Sequence, residues 1–249
     1  MQRFFVEPHQ IDRDRHEIRI TGNDVNHIVN VLRMKKDEEL WISDKEKEYH
    51  CVIENAGENE VLLHILYVQE PDYELQNRIY LFQGLPKADK MELIIQKAVE
   101  LGVYEIIPVE MKYCVVRLDD KKKEKKRERW QAIAKSAAKQ AKRSRIPEIH
   151  PVMSYNKAVE YAKNCQLCLV PYENERGMKG TREVLKKIEP GMDISVMIGP
   201  EGGFSEEEIE MVREEMEVLS LGKRILRTDT AAITVMSMLM LEIEMKEEE

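Results

Sequence analysis

From Arg3 to Val68 apolar and polar positions alternate in short runs, the two-residue period of a half-buried strand. Phe4-Phe5-Val6, Ile18-Arg19-Ile20, Glu39 to Ile42, Tyr49 to Ile53 and Glu60 to Val68 are the predicted strands, and their spacing predicts a small barrel or sandwich. One helix interrupts them, Asn23 to Leu32, with Val25, Ile28, Val29 and Leu32 on one face. From Gln69 to Asn77 the periodicity is lost and Pro71 intervenes, so this stretch reads as a linker. The boundary falls near residue 74, giving domains 1–73 and 74–249.

Beyond the linker strands and helices alternate. Ile79 to Phe82 is a predicted strand; Asp89 to Leu101 is a helix with Met91, Ile94, Ile95, Ala98 and Leu101 inward and Gly102 at its C-terminal cap. A strand from Tyr104 to Val109 precedes a long basic helix reaching about Lys142. Strands near Glu148 to Pro151, Gln166 to Val170 and Ile194 to Ile198 then alternate with helices over Asn156 to Lys163, Thr181 to Ile188 and Ser205 to Met216. The last helix, Thr230 to Met245, carries an apolar stripe of Ile233, Met236, Leu239, Met240 and Ile243, and Glu247 to Glu249 reads as a solvated tail. Such alternation implies an α/β domain built on a parallel sheet covered on both faces.

Composition bounds the class. A chain of 249 residues accommodates two unequal domains, and 43% apolar against 35% charged residues lies far from the composition of disorder. The amino terminus meets charged residues too early for a secretory leader, and the longest nearly apolar run, Ala231 to Leu241, is shorter than the ~20 residues that span a bilayer. A soluble cytoplasmic protein, with no membrane partner, is expected. Cys51, Cys114, Cys165 and Cys168 are too scattered for a disulfide framework, and the lone Cys165-x-x-Cys168 pair supplies too few ligands for structural zinc, so no metal is expected.

Charge changes the picture. The net charge is −8, yet the stretch from Lys121 to Arg145 holds twelve Lys or Arg against two Glu, a local +10 that leaves −18 elsewhere. That asymmetry is the footprint of a nucleic-acid binder, with a solvated helix face as the competing reading.

The segment from Ser195 to Ile209 points to a ligand. An apolar strand enters a turn containing Gly199, Gly202 and Gly203, where missing Cβ atoms let a ligand approach the backbone, and Ser205 with Glu208 forms a capping box for the next helix. This is the carboxyl end of a parallel strand, where open α/β sheets bind cofactors. Glu201 would repel a pyrophosphate, so a neutral or cationic adenosine-bearing ligand fits better; a plain tight turn is the alternative. A second glycine loop, Leu219 to Ala232, gathers Arg224, Arg227, Thr228 and Asp229 at a helix start.

Ile198-Gly-Pro-Glu-Gly-Gly-Phe-Ser205 followed by Leu221-Gly-Lys-Arg-Ile-Leu-Arg-Thr-Asp-Thr-Ala-Ala232 resembles the signature pair of the RsmE family of ribosomal RNA methyltransferases, in the SPOUT superfamily. Arg3 to Val6, His27 to Arg33, Lys87 to Gly102 and Trp130 to Pro147 match in order, so the resemblance spans the chain. It implies a PUA-like N-terminal barrel, a C-terminal parallel-sheet domain with a trefoil knot, a homodimer, and methyl transfer from S-adenosylmethionine to N3 of one uridine in small-subunit (16S) ribosomal RNA, free or in the assembled subunit. Carried over by position, Ile198, Gly199, Pro200, Glu201, Gly202 and Gly203 with Leu221, Gly222, Ile225, Leu226, Thr228 and Ala231 would line the cofactor pocket, and Pro171 and Tyr172 its third wall. The family often has Gln-Cys-Gly-Arg where this chain has Gln140-Ala-Lys-Arg143, so only the outer two residues match.

N3 of uridine carries a proton at neutral pH that must leave before or during attack. Arg143 is the candidate to stabilise charge developing on the uracil oxygens, Gln140 to orient the base edge, and Asp229 to take the proton, with Glu201 as the alternative base. Arg3, Arg33, Lys139, Lys142 and Arg145 are the candidate RNA contacts. Two rivals share these features: a SPOUT enzyme acting on another RNA such as transfer RNA, and a non-catalytic RNA-binding assembly factor.

Overall fold

The computed structural model describes residues 1–71 and 73–247, which leaves Asp72 of the linker and Glu248 and Glu249 of the acidic tail outside the described residues. Among the described residues the chain forms two units, Met1–Glu74 with Ala138–Ile146, and Leu75–Ala137 with Pro147–Glu249. Residues 138–146 group with the N-terminal unit, which local periodicity does not report, because a helix keeps its period along its whole length.

The N-terminal unit holds β1 (Gln2–Phe5), β2 (Ile11–Asp12), β3 (Glu17–Thr21), α1 (Asn23–Asn26), β4 (Glu39–Ser43), β5 (Glu48–Ala56) and β6 (Glu60–Gln69). They form one sheet in the order β1-β4-β5-β6-β3-β2, with β1 parallel to β4 and the remaining pairs antiparallel. Alternate residues Phe4, Ile18, Ile20, Leu40, Ile42, Ile53, Val61 and Leu63 bury one face, together with Val25 and Ile28 of the helical turn. The predicted helix forms as one continuous run that is α-helical over Asn23–Asn26 and widens to a π-helix over His27–Val31, with Leu32 as its C-terminal cap.

The C-terminal unit runs β7 (Arg78–Gly84), α2 (Lys90–Glu100), β8 (Glu105–Glu110), α3 (Asp120–Gln140), β9 (Glu148–Ile149), β10 (Met153–Ser154), α4 (Tyr155–Ala162), β11 (Leu167–Pro171), α5 (Met178–Leu185), β12 (Asp193–Ile198), α6 (Glu206–Val212), β13 (Glu217–Leu219) and α7 (Thr228–Glu247); the last turn of α3 belongs to the other unit. The strands form a parallel sheet in the order β10-β8-β7-β12-β11-β13, with β9 beside β8. Ile79, Leu81, Phe82, Ile106, Ile107, Ile194, Val196 and Met197 are buried irrespective of parity, as in a sheet covered on both faces. On α7, Met236, Leu239 and Ile243 of the predicted stripe are buried, while Ile233 and Met240 are half-buried.

The capping box forms as the sequence predicts. Ser205 Oγ accepts from the Glu208 amide at 3.3 Å, and the Glu208 carboxylate accepts from the Ser205 amide at 2.8 Å. Ser205→Ala is expected to destabilise the chain by about 1 kcal/mol, the usual worth of an N-cap, read as a lower urea midpoint at unchanged m-value.

Candidate functional site

Three loops leave the carboxyl ends of neighbouring parallel strands. β12 ends at Ile198 and runs into 199–203, β11 ends at Pro171 and continues to Tyr172, and β13 passes through Ser220 into the loop that starts α7. The Tyr172 amide donates to Leu219 O at 3.0 Å, keeping two of the strand ends in step. Together the loops enclose a cavity of about 470 Å3, within the ordinary range for a small-molecule site. Every residue assigned to the cofactor lines it: Pro171, Tyr172, Ile198, Gly199, Pro200, Glu201, Gly202, Gly203, Leu221, Gly222, Ile225, Leu226, Thr228 and Ala231. Lys90, Glu173, Arg176, Phe204, Ser220, Lys223, Arg224 and Arg227 also line it and were missed. Phe204, Ser220, Lys223, Arg224 and Arg227 lie in the two glycine loops and were legible there; Lys90 and Glu173 reach the cavity only through tertiary folding.

Both signs of charge meet at this cavity. The Glu201 carboxylate accepts from the Lys87 amide at 3.0 Å and from Lys90 Nζ at 2.9 Å. Burial pushes the Glu201 carboxyl up, but the hydrogen bonds from Lys90 and the Lys87 amide outweigh it and hold it below the usual range. A carboxylate stabilised in this way is a weak proton acceptor, which counts against Glu201 as the base. At Gly203, whose φ is +70°, an added Cβ would lie 2.3 Å from Glu173 Oε1, so the glycine lets that carboxylate come against the loop. Ile225 lines the cavity while 86% exposed, an unusual position for a large apolar side chain.

Asp229 stands in the first turn of α7 beside the cavity-lining Thr228 but does not itself line the cavity, and its Oδ1 is buried with no hydrogen-bond partner. Gln140 and Arg143 both belong to the N-terminal unit, where Gln140 is exposed. Arg143 is 3% exposed, and its Nε donates to the two Glu74 carboxylate oxygens at 3.3 and 3.2 Å. Glu74 also accepts from the Ser144 amide at 2.9 Å. Arg143 is thereby held against Glu74 of the linker within the N-terminal unit, and it ties the 138–146 segment to that residue.

The candidate RNA contacts divide in the same way. Arg33 and Lys142 are exposed, Arg145 is half-buried, and Lys139 pairs with Asp24 at 2.8 Å. Arg3 is buried, ion-paired with Glu48 and flanked by Trp41 and Tyr73, so it has no surface to offer a phosphate. A short alternating strand cannot reveal this, because Arg3 faces outward from the core and is covered by other parts of its own unit. On α3 part of the positive charge is answered internally, Lys123 by Glu110 at 2.9 Å and Arg129 by Glu92 at 2.7 Å, whereas Lys121 and Lys125 are exposed.

Two clusters elsewhere have structural explanations. Burial pushes the Cys165 thiol up to about 12 and raises that of Cys168, so neither is an activated thiolate. Glu105, Glu148 and His150 place ligand atoms within 4.8 Å of one another, but His150 Nε2 lies 2.7 Å from Glu105 Oε2, to which Tyr161 donates at 2.8 Å. The Glu105 hydrogen bond raises the His150 pKa against the opposing effect of burial. A raised folded-state pKa gives stability that is complete below the unfolded value and lost as pH rises through the folded one. His150→Gln is thus expected to lower the urea midpoint more at about pH 5.5 than at about pH 8.5; equal losses would remove the ion pair from the account.

Comparison with known proteins identifies the family. The family model for an RNA methyltransferase domain matches residues 73–240, and that for an RNA methyltransferase PUA domain matches residues 20–66. The chain is 36% identical to ribosomal RNA small subunit methyltransferase E of Bacillus subtilis, covering 98% of each, and 31% identical to the protein of that name from Mesomycoplasma hyopneumoniae, covering 95% of this chain and 98% of the relative. Among solved structures, ribosomal RNA small subunit methyltransferase E from Neisseria gonorrhoeae bound to S-adenosyl methionine superposes with a TM-score of 0.81 at 30% identity, covering 97% of each chain.

Proposed function

The chain belongs to the ribosomal RNA small subunit methyltransferase E family, and from that membership we propose that it transfers the methyl group of S-adenosylmethionine to N3 of one uridine in 16S ribosomal RNA, acting in the cytoplasm as a homodimer. The observation that carries the proposal is the convergence of both glycine loops on one cavity at the carboxyl ends of β11, β12 and β13. Its residues fit the cofactor. Ile198, Leu221 and Leu226 offer apolar surface to an adenosine, glycine backbone offers amides and carbonyls, and charges of both signs suit a ligand carrying a sulfonium, an amine and a carboxylate. The trefoil knot and the homodimer belong to the same reading; Leu241 and Met245, more than half exposed on α7, are surface that a second copy would cover.

S-adenosylmethionine supplies an electrophilic methyl group, and the transfer forms an N–C bond as the S–C bond breaks. The residues of this chain hold donor and base in line, which can account for much of the barrier lowering. Asp229 is retained as the proton acceptor on the strength of its buried, unpaired oxygen next to the cavity wall, and Gln140 as the group that orients the base edge. Arg33, Lys142 and the exposed lysines of α3 supply phosphate contacts, giving affinity without sequence information.

The test is methyl incorporation from labelled S-adenosylmethionine into small ribosomal subunits, free ribosomal RNA and total transfer RNA, with the modified base mapped. Label at N3 of a single small-subunit uridine is expected. Label confined to transfer RNA would replace the substrate, and failure to bind S-adenosylmethionine at all would favour the assembly-factor reading.

A further inference from the structure

Gln83, near the end of β7, is a glutamine with no exposure at all in a sheet whose buried side chains are mostly apolar. Its Nε2 donates to Gly84 O at 2.9 Å and to Thr228 Oγ1 at 3.0 Å. The Thr228 hydroxyl in turn donates to Gly199 O at 2.7 Å. These bonds fix every proton: a hydroxyl that gives its hydrogen to a carbonyl must accept from the amide, so Gln83 presents N–H rather than C=O to it. Thr228 begins α7 and Gly199 opens the loop after β12, so the chain Gln83–Thr228–Gly199 ties together, from below, two of the loops that wall the cavity.

The arrangement leaves Gln83 Oε1 buried with no hydrogen-bond partner. An apolar residue of similar length would spare the fold that unpaired acceptor, and buried orphans of this kind are few in native proteins. A side chain that burdens stability in this way is explained by what its other end does. We propose that Gln83 is a positioning residue for methyl-donor binding, holding the Thr228 hydroxyl so that the Gly199 carbonyl and the start of α7 keep a fixed separation across the cavity. The inference deepens the functional reading above and rests on it for the identity of the ligand.

The test uses the full chain and three substitutions: Gln83→Met, which keeps length and removes both the donor and the orphan; Thr228→Val, which keeps shape and removes the hydroxyl; and Thr228→Ser, which keeps the hydroxyl. S-adenosylmethionine affinity by calorimetry and thermal midpoint are measured for each and for the double variant Gln83→Met/Thr228→Val. The two readouts are expected to separate: Gln83→Met weakens binding about ten-fold, on the order of the worth of one lost hydrogen bond, while the thermal midpoint changes little, because the orphaned Oε1 is removed as the Gly84 and Thr228 oxygens each lose a donor. The double variant binds no more weakly than the poorer single variant, and Thr228→Ser, which keeps the hydroxyl, loses less affinity than Thr228→Val. Unchanged affinity in Gln83→Met, or losses that add in the double variant, would overturn the proposal. A readout independent of the ligand separates this from the functional reading: in the free protein, amide exchange across 199–203 should quicken in Gln83→Met and not in Thr228→Ser. Exchange unaltered by Gln83→Met defeats the relay even if the wild type binds the cofactor, and quickened exchange upholds it even if the functional reading fails.

Discussion

Arg143→Ala is expected to destabilise the N-terminal unit by about 3 kcal/mol, the lower end of the range for breaking a buried ion pair from one side. The guanidinium is nearly inaccessible, and it grips both oxygens of a Glu74 side chain that keeps 22% of its own exposure. Truncation leaves Glu74 with the Ser144 and Arg145 amides as donors and an unanswered negative charge. The loss propagates, because Ser144 Oγ donates to Glu48 at 2.7 Å and Glu48 is the partner of buried Arg3. Lysine at position 143 should recover only part of the difference, since an ammonium cannot match a carboxylate with a planar fork. Urea unfolding of the full chain followed by a probe in the N-terminal unit measures it. A change within about 1 kcal/mol, the worth of a surface pair, would show the clasp to be dispensable. In that event a large loss of methyl transfer would return Arg143 to the catalytic part that its position in the sequence first gave it.

Arg143 also marks the limit of what the sequence makes legible. Periodicity located most of the elements, since a parallel sheet covered on both faces and a half-buried antiparallel sheet write different patterns. It missed β2 and β10, two residues each, while β9, equally short, was placed only as part of a predicted strand near 148–151. The glycine-loop part of the cavity lining was legible, since glycine loops at strand ends are contiguous in sequence and their chemistry is local, whereas eight further lining residues were not assigned. Arg3, Arg143 and Gln83 were not legible, because the burial of each is decided by a partner far along the chain: Glu48, Glu74 and Thr228. A basic residue in a basic stretch looks the same whether it faces phosphate or a buried carboxylate. The threading of a knot leaves no mark on local period either, and its expectation came from family resemblance alone.

Gly84→Ala should damage the cofactor cavity from outside it. Gly84 closes β7 and pairs with Val109 of β8, on the opposite side of β7 from β12. An added Cβ would lie 2.7 Å from both the ring Cδ and the backbone nitrogen of Pro200, and 3.0 Å from Met111 Sδ. The methionine can swing away, but the proline ring cannot, since its atoms are fixed to the peptide that carries the cavity wall. Relief therefore requires a shift of the 199–203 loop, which moves Gly199 O away from its Thr228 donor and disturbs the Glu201 contacts with Lys87 and Lys90. Overpacking of this kind costs about 1–3 kcal/mol, and when the displaced element is the binding wall the same strain appears as lost affinity, about 10- to 100-fold in S-adenosylmethionine binding. Calorimetric titration of the full chain measures it, with Gly180→Ala as the control, because an added Cβ there meets nothing within 4 Å. A Gly84→Ala protein that binds as tightly as the wild type would mean that the Pro200 loop is free to move, and the view of this cavity as a rigid, preformed site would have to be given up.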